Sequence, residues 1–541
     1  MKRETPLVAL LLTGLVVLGV PAWAASSEGV YEVTHYGAVA NDGKTDIAAI
    51  QEAIDVCAAH GGGVVSFPPG AYVTGTVYLK NHVHLRVEQG ATLLGSTSLA
   101  DYPVNICKYP SRSDAYTARA LIWGEGLEDV GITGLGTIDG QGSAFTGRKA
   151  DEDDMAEAKK VLAKEGRHLP EPHYFARPYL IRLVSCRDVL VENVTMRSSA
   201  MWMQHYLDCD FLTVRGINVF NHGCANNDMI DIDGCRNAVV SDCVGDSDDD
   251  ALTLKSTGAK PTEHVVISNC ILRSHCNALK MGTESAGGFR DIAVSNCVIQ
   301  RSSVTSGDHA GRFEGLAGIA LEIVDGGTLE RVAISNMVIE GTNAPIFMRL
   351  GNRARAARPG DPAPPVGAFR NVSVSNVVAT GAGGMGCAIA GIPGHPIQDV
   401  TLSNIRIRAV GDERTRELAD VPENEGKYPE CVMFETLPAY GFYFRHAQGL
   451  RVQGLDLTYE KPDQRPAIVC DDVANFRLQD MQAEAEPGAA MQVLLKDTKD
   501  ALITGCTSAK VEAFVTEAGN CEDIRLLNND VVQAKTERAK Q

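Results

Sequence analysis

The 541-residue chain lacks several features that would fix its class at once. It has no CxxC…CxxC or HExxH pattern, so no familiar zinc motif is present, although the chain holds 15 cysteines. That number is odd, and Cys243, Cys270 and Cys297 fall at repeat positions and not in close pairs, which suits stacked buried thiols. A chain this long buries a large core and needs no disulfides for stability. An excess of positive charge is also missing. Lys and Arg number 50 against 68 Asp and Glu, a net charge of −18. Such a chain repels nucleic acid and anionic membranes, so neither is expected as a partner. After Val20 no apolar run is long enough to span a bilayer. Leu7 to Val20 is itself apolar, follows Lys2 and Arg3, and precedes Ala22-Trp23-Ala24. This reads as a signal peptide over residues 1–24, with a secreted or periplasmic mature chain over 25–541.

What the chain does have is a repeat. The pattern D-V-x-V-x-N-h, with h apolar, ends at Val194, Ile217, Cys243, Cys270, Cys297, Met337, Val377 and Ile405. Weaker copies end at Leu455, Met481 and Cys506. From Val194 to Cys297 the steps are 23, 26, 27 and 27 residues; later steps of 40, 40, 28 and 50 include loops. Each unit alternates apolar and polar residues, as a strand does, and the Asn or Asp after it suits a turn by bonding local backbone. One strand per period in the twenties predicts a parallel β-helix of stacked coils. An antiparallel propeller fits less well, because Asn-Gly hairpin turns are not placed between the strands.

Thr45-Asp46 followed by IAAIQEAIDVCAAHGGG predicts a capped helix ending at Gly61, with Ile47, Ile50, Ile54 and Val56 over the first coil. Residues 145–178 break the repeat, and DEDDMAEAKKVLAKEG within them has helical composition. Residues 353–365 read as a surface loop, and the charged end from about 533 reads as frayed. No linker is visible, so one domain is expected.

Asp228, in NNDMIDIDG, precedes Asp249, in DSDDDALTLKS, by 21 residues. That is close to one coil, so Asp228, Asp249 and Asp250 fall on neighbouring rungs. Coils stack at roughly 4.8 Å, and carboxylates so close repel one another unless they bind a cation or handle protons. SHCNALKMGTES brings His275, Asn277 and Lys280 one coil further on. Spacing alone leaves three readings open: glycoside hydrolysis by paired carboxylates, calcium bound by oxygen ligands, and solvated turns.

NNDMIDIDG and DSDDDALTLKS resemble the N-x-D and D-D motifs of glycoside hydrolase family 28, the polygalacturonase family. GLGTIDGQG at 134–142 and the stretch from YGAVANDGKTD to GATLLGS are similar to the same family. The resemblance runs from about Tyr31 to Asn343. It implies an all-β, right-handed parallel β-helix and inverting hydrolysis with no metal and no cofactor. By the same resemblance Asp249 is the general acid, Asp228 and Asp250 activate water, and Asn226 is the Asn of the first motif. The extra Asp248 loosens the assignment within the triplet.

Two departures stand out. The family's G-H-G motif falls on Cys276-Asn277-Ala278, with His275 as a stand-in for the missing His. Its R-I-K motif falls in GIALEIVDGG, where Ala320 and Glu322 occupy the cationic positions that bind the galacturonate carboxylate. An acid at Glu322 would repel that group. Lys255, Lys280, Arg349 and Arg353 are the candidate replacements. His205 and His222 are candidates for a polar cleft wall, Trp202 for stacking on a sugar, and Asp231 and Asp233 for support of the site.

The expected function is hydrolysis of a pectin-type cell-wall polysaccharide by a monomer. Inserts at 145–178 and 338–366 would wall a cleft and favour end-trimming. A calcium-dependent polysaccharide lyase and a non-catalytic glycan-binding solenoid are the competing readings.

Overall fold

The computed structural model describes residues 29–304, 315–412, 414 and 416–541; the expected signal peptide lies outside them. Among these residues 37 strands link into one hydrogen-bonded system, and the strand-to-strand pairings are parallel. The chain winds as a right-handed parallel β-helix. No helix among the described residues is long and apolar enough to cross a membrane.

The repeat sets the coil geometry. Within each D-V-x-V segment alternate residues point inward and stack on the equivalent residue of the next coil. Leu212, Ala238, Val265, Ile292, Val332, Val372 and Val400 form one such column, and all are buried. The h residues from Val194 to Ile405 form a second column, each at most 1% exposed. Burying a side chain of this size contributes about 1.5–3 kcal/mol, so the columns hold the coils together. The stacked thiols of Cys243, Cys270 and Cys297 belong to this column, and all 15 cysteines are free.

Asn, or Asp242 and Gly216 at two steps, precedes each h residue and turns the corner. Asn269, Asn296, Asn336, Asn376 and Asn404 all have φ between 54° and 58°. Asn tolerates this left-handed conformation better than other residues with a Cβ. The side chains then bond coil to coil, Asn336 Nδ2 to Asn296 Oδ1 and Asn376 Nδ2 to Asn336 Oδ1, each at 3.0 Å. The ladder therefore ties neighbouring coils to each other.

Helix α1 (Ile47–Ala59) covers the first coil. Its inward face is Ile50, Ala53, Ile54 and Cys57; Ile47 and Val56 are only half-buried, contrary to the sequence reading. Asp46 does not cap with its side chain, which accepts from Val39 N instead. Helix α2 (Glu152–Lys164) begins with a working cap, Asp151 accepting from Asp154 N, and buries Met155, Ala158 and Leu162. The chain end is not frayed backbone: Thr536–Lys540 pairs with Ala513–Ala518.

A third column of strands runs through Ile230–Asp233, Leu252–Ser256, Leu279–Ser285 and Gly315–Ile323. Its outward face is buried, because segments leaving the repeat fold over it. Replacing Asn336 by Ala is expected to cost about 1–2 kcal/mol for the left-handed corner, whereas Asn336→Gly should cost less. Equal losses for the two variants in urea denaturation would show that the corner does not depend on backbone conformation.

Candidate active site

Register assembles the acidic site. Ile230, Leu252 and Leu279 are paired neighbours. Asp228, Asp250 and Asn277, two residues before each, therefore occupy equivalent positions on three consecutive coils. Backbone bonds continue through this corner, Met229 N to Asp250 O and Ala251 N to Asn277 O, both 2.9 Å. Asp249 lies one residue earlier, its amide donating to Asn227 Oδ1 at 3.1 Å. The hydroxyls of Ser247 and Ser274 both donate to the Asp249 carbonyl, at 2.8 and 2.6 Å. Rigid backbone thus presents the carboxylates, as a catalytic group requires.

Asp250 is held in place by three donors. Asn277 donates to Oδ1 through its backbone N (3.1 Å) and its Nδ2 (2.9 Å). Lys280 Nζ is 3.0 Å from Oδ2 and 3.3 Å from Glu430. Burial works against the Lys280 ammonium, but Asp250 and Glu430 overcome it and raise its pKa.

A second cluster surrounds Lys255. Its Nζ lies 3.2 Å from Asp228, 3.3 Å from Asp231 and 3.7 Å from Glu284. It also sits 4.4 Å from the ring centre of Trp202. Burial and repulsion from Asp231, Asp249 and Asp250 push Asp228 well above the usual carboxylate range. Burial raises Asp231 as well, to about 7, against the pull of Lys255. One proton is therefore retained around this pair near neutral pH. Glu284 is ionised: burial opposes its charge, but Lys255, Arg355 and Arg353 lower its pKa further than burial raises it.

These groups open into a cavity of 460 Å³. Asn226, Asp228, Asp249, Asp250, Lys255 and Glu284 form its floor, with Trp202 and Cys276. Its walls are segments outside the repeat: Tyr116, Tyr174 from the insertion, Arg353 and Arg355, and Tyr428 and Glu430 from the long loop before Phe442. Arg353 and Arg355 are anchored on Asp325 at 2.6 and 2.7 Å, and Arg355 also bonds Glu284 at 2.9 Å. Nη1 of Arg353 has no hydrogen-bond partner among the described residues.

Several expected substrate-binding residues lie elsewhere. Arg349 does not line the cavity: its Nη atoms donate to the carbonyls of Gly391 (2.8 Å) and Glu423 (2.6 Å). Glu322 is fully buried beneath Gly282, with both oxygens lacking a hydrogen-bond partner. Burial keeps its carboxyl protonated despite Lys280, so the repulsion expected from an acid there does not arise. Asn277 and Lys280 lie behind Asp250, where they orient it without facing the cavity. His222 and His275 lie beyond the corner, outside the cavity lining. Trp202 is packed by Tyr116, His205 and Lys255 and offers no open ring face. His205 and Asp233 are a buried pair, 3.0 Å apart, and burial lowers the His205 pKa to about 4.

Sequence reasoning missed Asn227, Arg177, Glu284, Tyr428 and Glu430. Arg177 holds Asn226 in place, Nη2 to Oδ1 at 2.9 Å. Asn227 and Glu284 sit inside the motif strings; Asn227 could have been found by its register with Asp249, whereas a bulge between Leu254 and Ser256 brings Glu284 to Lys255. Arg177, Tyr428 and Glu430 come from unrepeated segments and carry no signal.

A family model described as glycosyl hydrolases family 28 matches residues 57–427. A probable polygalacturonase of Vitis vinifera is 30% identical over 230 residues, 41% of this chain and 43% of that protein. An exo-poly-alpha-D-galacturonosidase of Dickeya chrysanthemi is 26% identical over 253 residues, 42% of each. The chain thus spans less than half the length of these curated relatives. A crystal structure of a Thermotoga maritima exopolygalacturonase superposes with a TM-score of 0.59 at 23% identity, over 70% of this chain and 87% of that one, a likeness of fold.

Two outcomes follow from the buried acids. With Asp231 raised from 3.8 to about 7, the folded chain binds more protons than the unfolded one between those values. Its contribution to stability is full below about pH 4 and is lost as pH rises through about 7. Thermal stability should fall more steeply across this window in the native protein than in Asp231→Asn; equal slopes would contradict the assignment. Glu322→Gln should leave the melting temperature unchanged and turnover within about twofold of native, since no charge is removed. A large loss would mean that Glu322 is ionised.

Proposed function

The chain belongs to glycosyl hydrolases family 28, and from that premise we propose that it hydrolyses a pectin-type polysaccharide, acting from chain ends with inversion. The observation that carries this reading is the stack of Asp228, Asp249 and Asp250 at the floor of one walled cavity. Asp249, the most exposed of the three, protonates the leaving glycosidic oxygen. Asp250, oriented by Lys280 and Asn277, takes the proton of the attacking water. Asp228 shares a proton with Asp231 and supports the same water.

A galacturonate carboxylate meets cations here although the R-I-K positions are lost. Arg353 lines the cavity with an undonated Nη1, whereas Lys255 on the floor is engaged by Asp228, Asp231 and Glu284. Tyr428 is exposed at the rim, with the cations of Arg353 and Lys280 5.4 and 5.6 Å from its ring centre. The walls from residues 172–175, 353–355 and 428–430 support end-trimming, because an open cleft would leave both directions of a long chain free. Export from the cytoplasm belongs to the same proposal, since the substrate lies outside the cell.

Digestion of defined oligogalacturonides and rhamnogalacturonan oligosaccharides, with proton NMR of the first-formed anomer, tests the reading. Short products released from one end with inverted configuration are expected. Mid-sized products in the first minutes would rule out end-trimming. An ultraviolet-absorbing unsaturated product abolished by a chelator would replace hydrolysis with elimination. Asp249→Asn should lower turnover by about 10²–10⁴-fold, and Arg353→Leu should raise KM for acidic but not for neutral oligosaccharides. An Asp249→Asn protein that keeps its rate would remove Asp249 from the chemistry.

A further inference from the structure

A second stacked constellation lies beside the acidic corner and plays no part in the hydrolysis described above. Asn221, Ser247 and Ser274 are paired neighbours on three consecutive coils. The residue after each is His222, Asp248 and His275. The ladder carries on through them, Asp248 N to Asn221 O at 3.1 Å and His275 N to Ser247 O at 3.3 Å. All three side chains are buried, at 8%, 1% and 5% exposure. One donor atom from each lies within 4.8 Å of the other two.

The surroundings fix the protons on both rings. His275 Nε2 lies 2.6 Å from the carbonyl of Val304, which can only accept, so Nε2 carries the hydrogen. His222 Nε2 lies 3.1 Å from Asp246 Oδ1. Asp246 also accepts from the backbone N and hydroxyl of Ser303. Both Ser303 donors fall on Oδ2, which leaves Oδ1 to accept from His222. Nε2 of His222 is then the donor, and its Nδ1 presents a lone pair. That Nδ1 is buried without a hydrogen-bond partner.

In neutral His275 the Nδ1 likewise presents a lone pair, only 2.8 Å from Asp248 Oδ1. Two electron-rich atoms at that separation need a proton or a cation between them. A proton would satisfy His275 and leave His222 Nδ1 orphaned. A metal ion would engage all three: ligands about 2.0–2.1 Å from one ion lie about 3 Å apart, His275 and Asp248 are already at 2.8 Å, and His222 lies within 4.8 Å of both. Histidines that donate their far nitrogen to a carboxylate or a carbonyl are the usual arrangement around such an ion. We propose that His222, Asp248 and His275 bind one divalent transition-metal ion of the zinc class, which staples three consecutive coils beside Asp249. Two imidazoles and a carboxylate favour zinc or cobalt over calcium or magnesium, which take oxygen ligands. The ion touches no substrate; it holds the turn from which Asp249 and Asp250 project.

The test uses untagged full-length protein, dialysed against a chelator and titrated with cobalt(II). One equivalent should bind, with visible d–d absorption of nitrogen and oxygen ligation, and zinc should displace it and raise the melting temperature. His222→Ala should abolish the spectrum, and Asp246→Asn should weaken binding by about 10–100-fold. If His222→Ala fails to fold by circular dichroism, His222→Gln and the native spectrum decide. Absence of stoichiometric cobalt binding would overturn the proposal. So would binding that survives the His222 substitutions, or strong thiolate charge-transfer bands, which would move the ion to Cys276 beside Asp249 and Asp250.

Discussion

Parallel register between successive coils is the constraint on which the rest of this molecule depends. Each residue's nearest foreign neighbour is its equivalent one coil away, so chemistry is written along columns that cross the sequence at right angles. One column packs Leu212 to Val400 and another packs Val194 to Ile405. A third joins the corner asparagines. The same rule puts Asp228, Asp250 and Asn277 in one line and His222, Asp248 and His275 in another. A slip of one residue would turn every side chain to the opposite face and dissolve both constellations.

Within that frame buried charge is balanced locally. Lys255 meets three carboxylates and Lys280 meets two, and Arg353 and Arg355 rest on Asp325. Such groups lose hydration on burial and recover it only through close partners. Where partners are too few, protonation replaces pairing: Glu322 and the Asp228–Asp231 pair retain protons. The outcome is a cavity whose acids differ in protonation although all are carboxylates, which is what acid and base roles require.

The coil repeat was legible because its period is regular and its inward residues are apolar. The three aspartates were legible because their spacing equals one coil. Glu322 misled because a letter in a motif carries no information about hydration: sequence shows an acid, whereas burial makes it a neutral group. Arg349 and Trp202 misled for a related reason, since their types suit sugar recognition but their neighbours consume their donors and faces. Helix α1 was placed to within a residue or so, but its inward face depended on how it settled on the coil.

Sequence by itself determined the solenoid, the capping helix and the line of Asp228, Asp249 and Asp250, because these follow from short-range alternation and a fixed period. Only the tertiary structure decided what surrounds them. Tyr174, Arg353 and the Tyr428–Glu430 pair come from three separate places, and no period relates them to the motif. The protonation of Asp231 and Glu322, and the unpartnered Nδ1 of His222, were likewise set by burial and hydrogen bonding. Those are properties of where a side chain ends up in space, which a residue's identity does not contain.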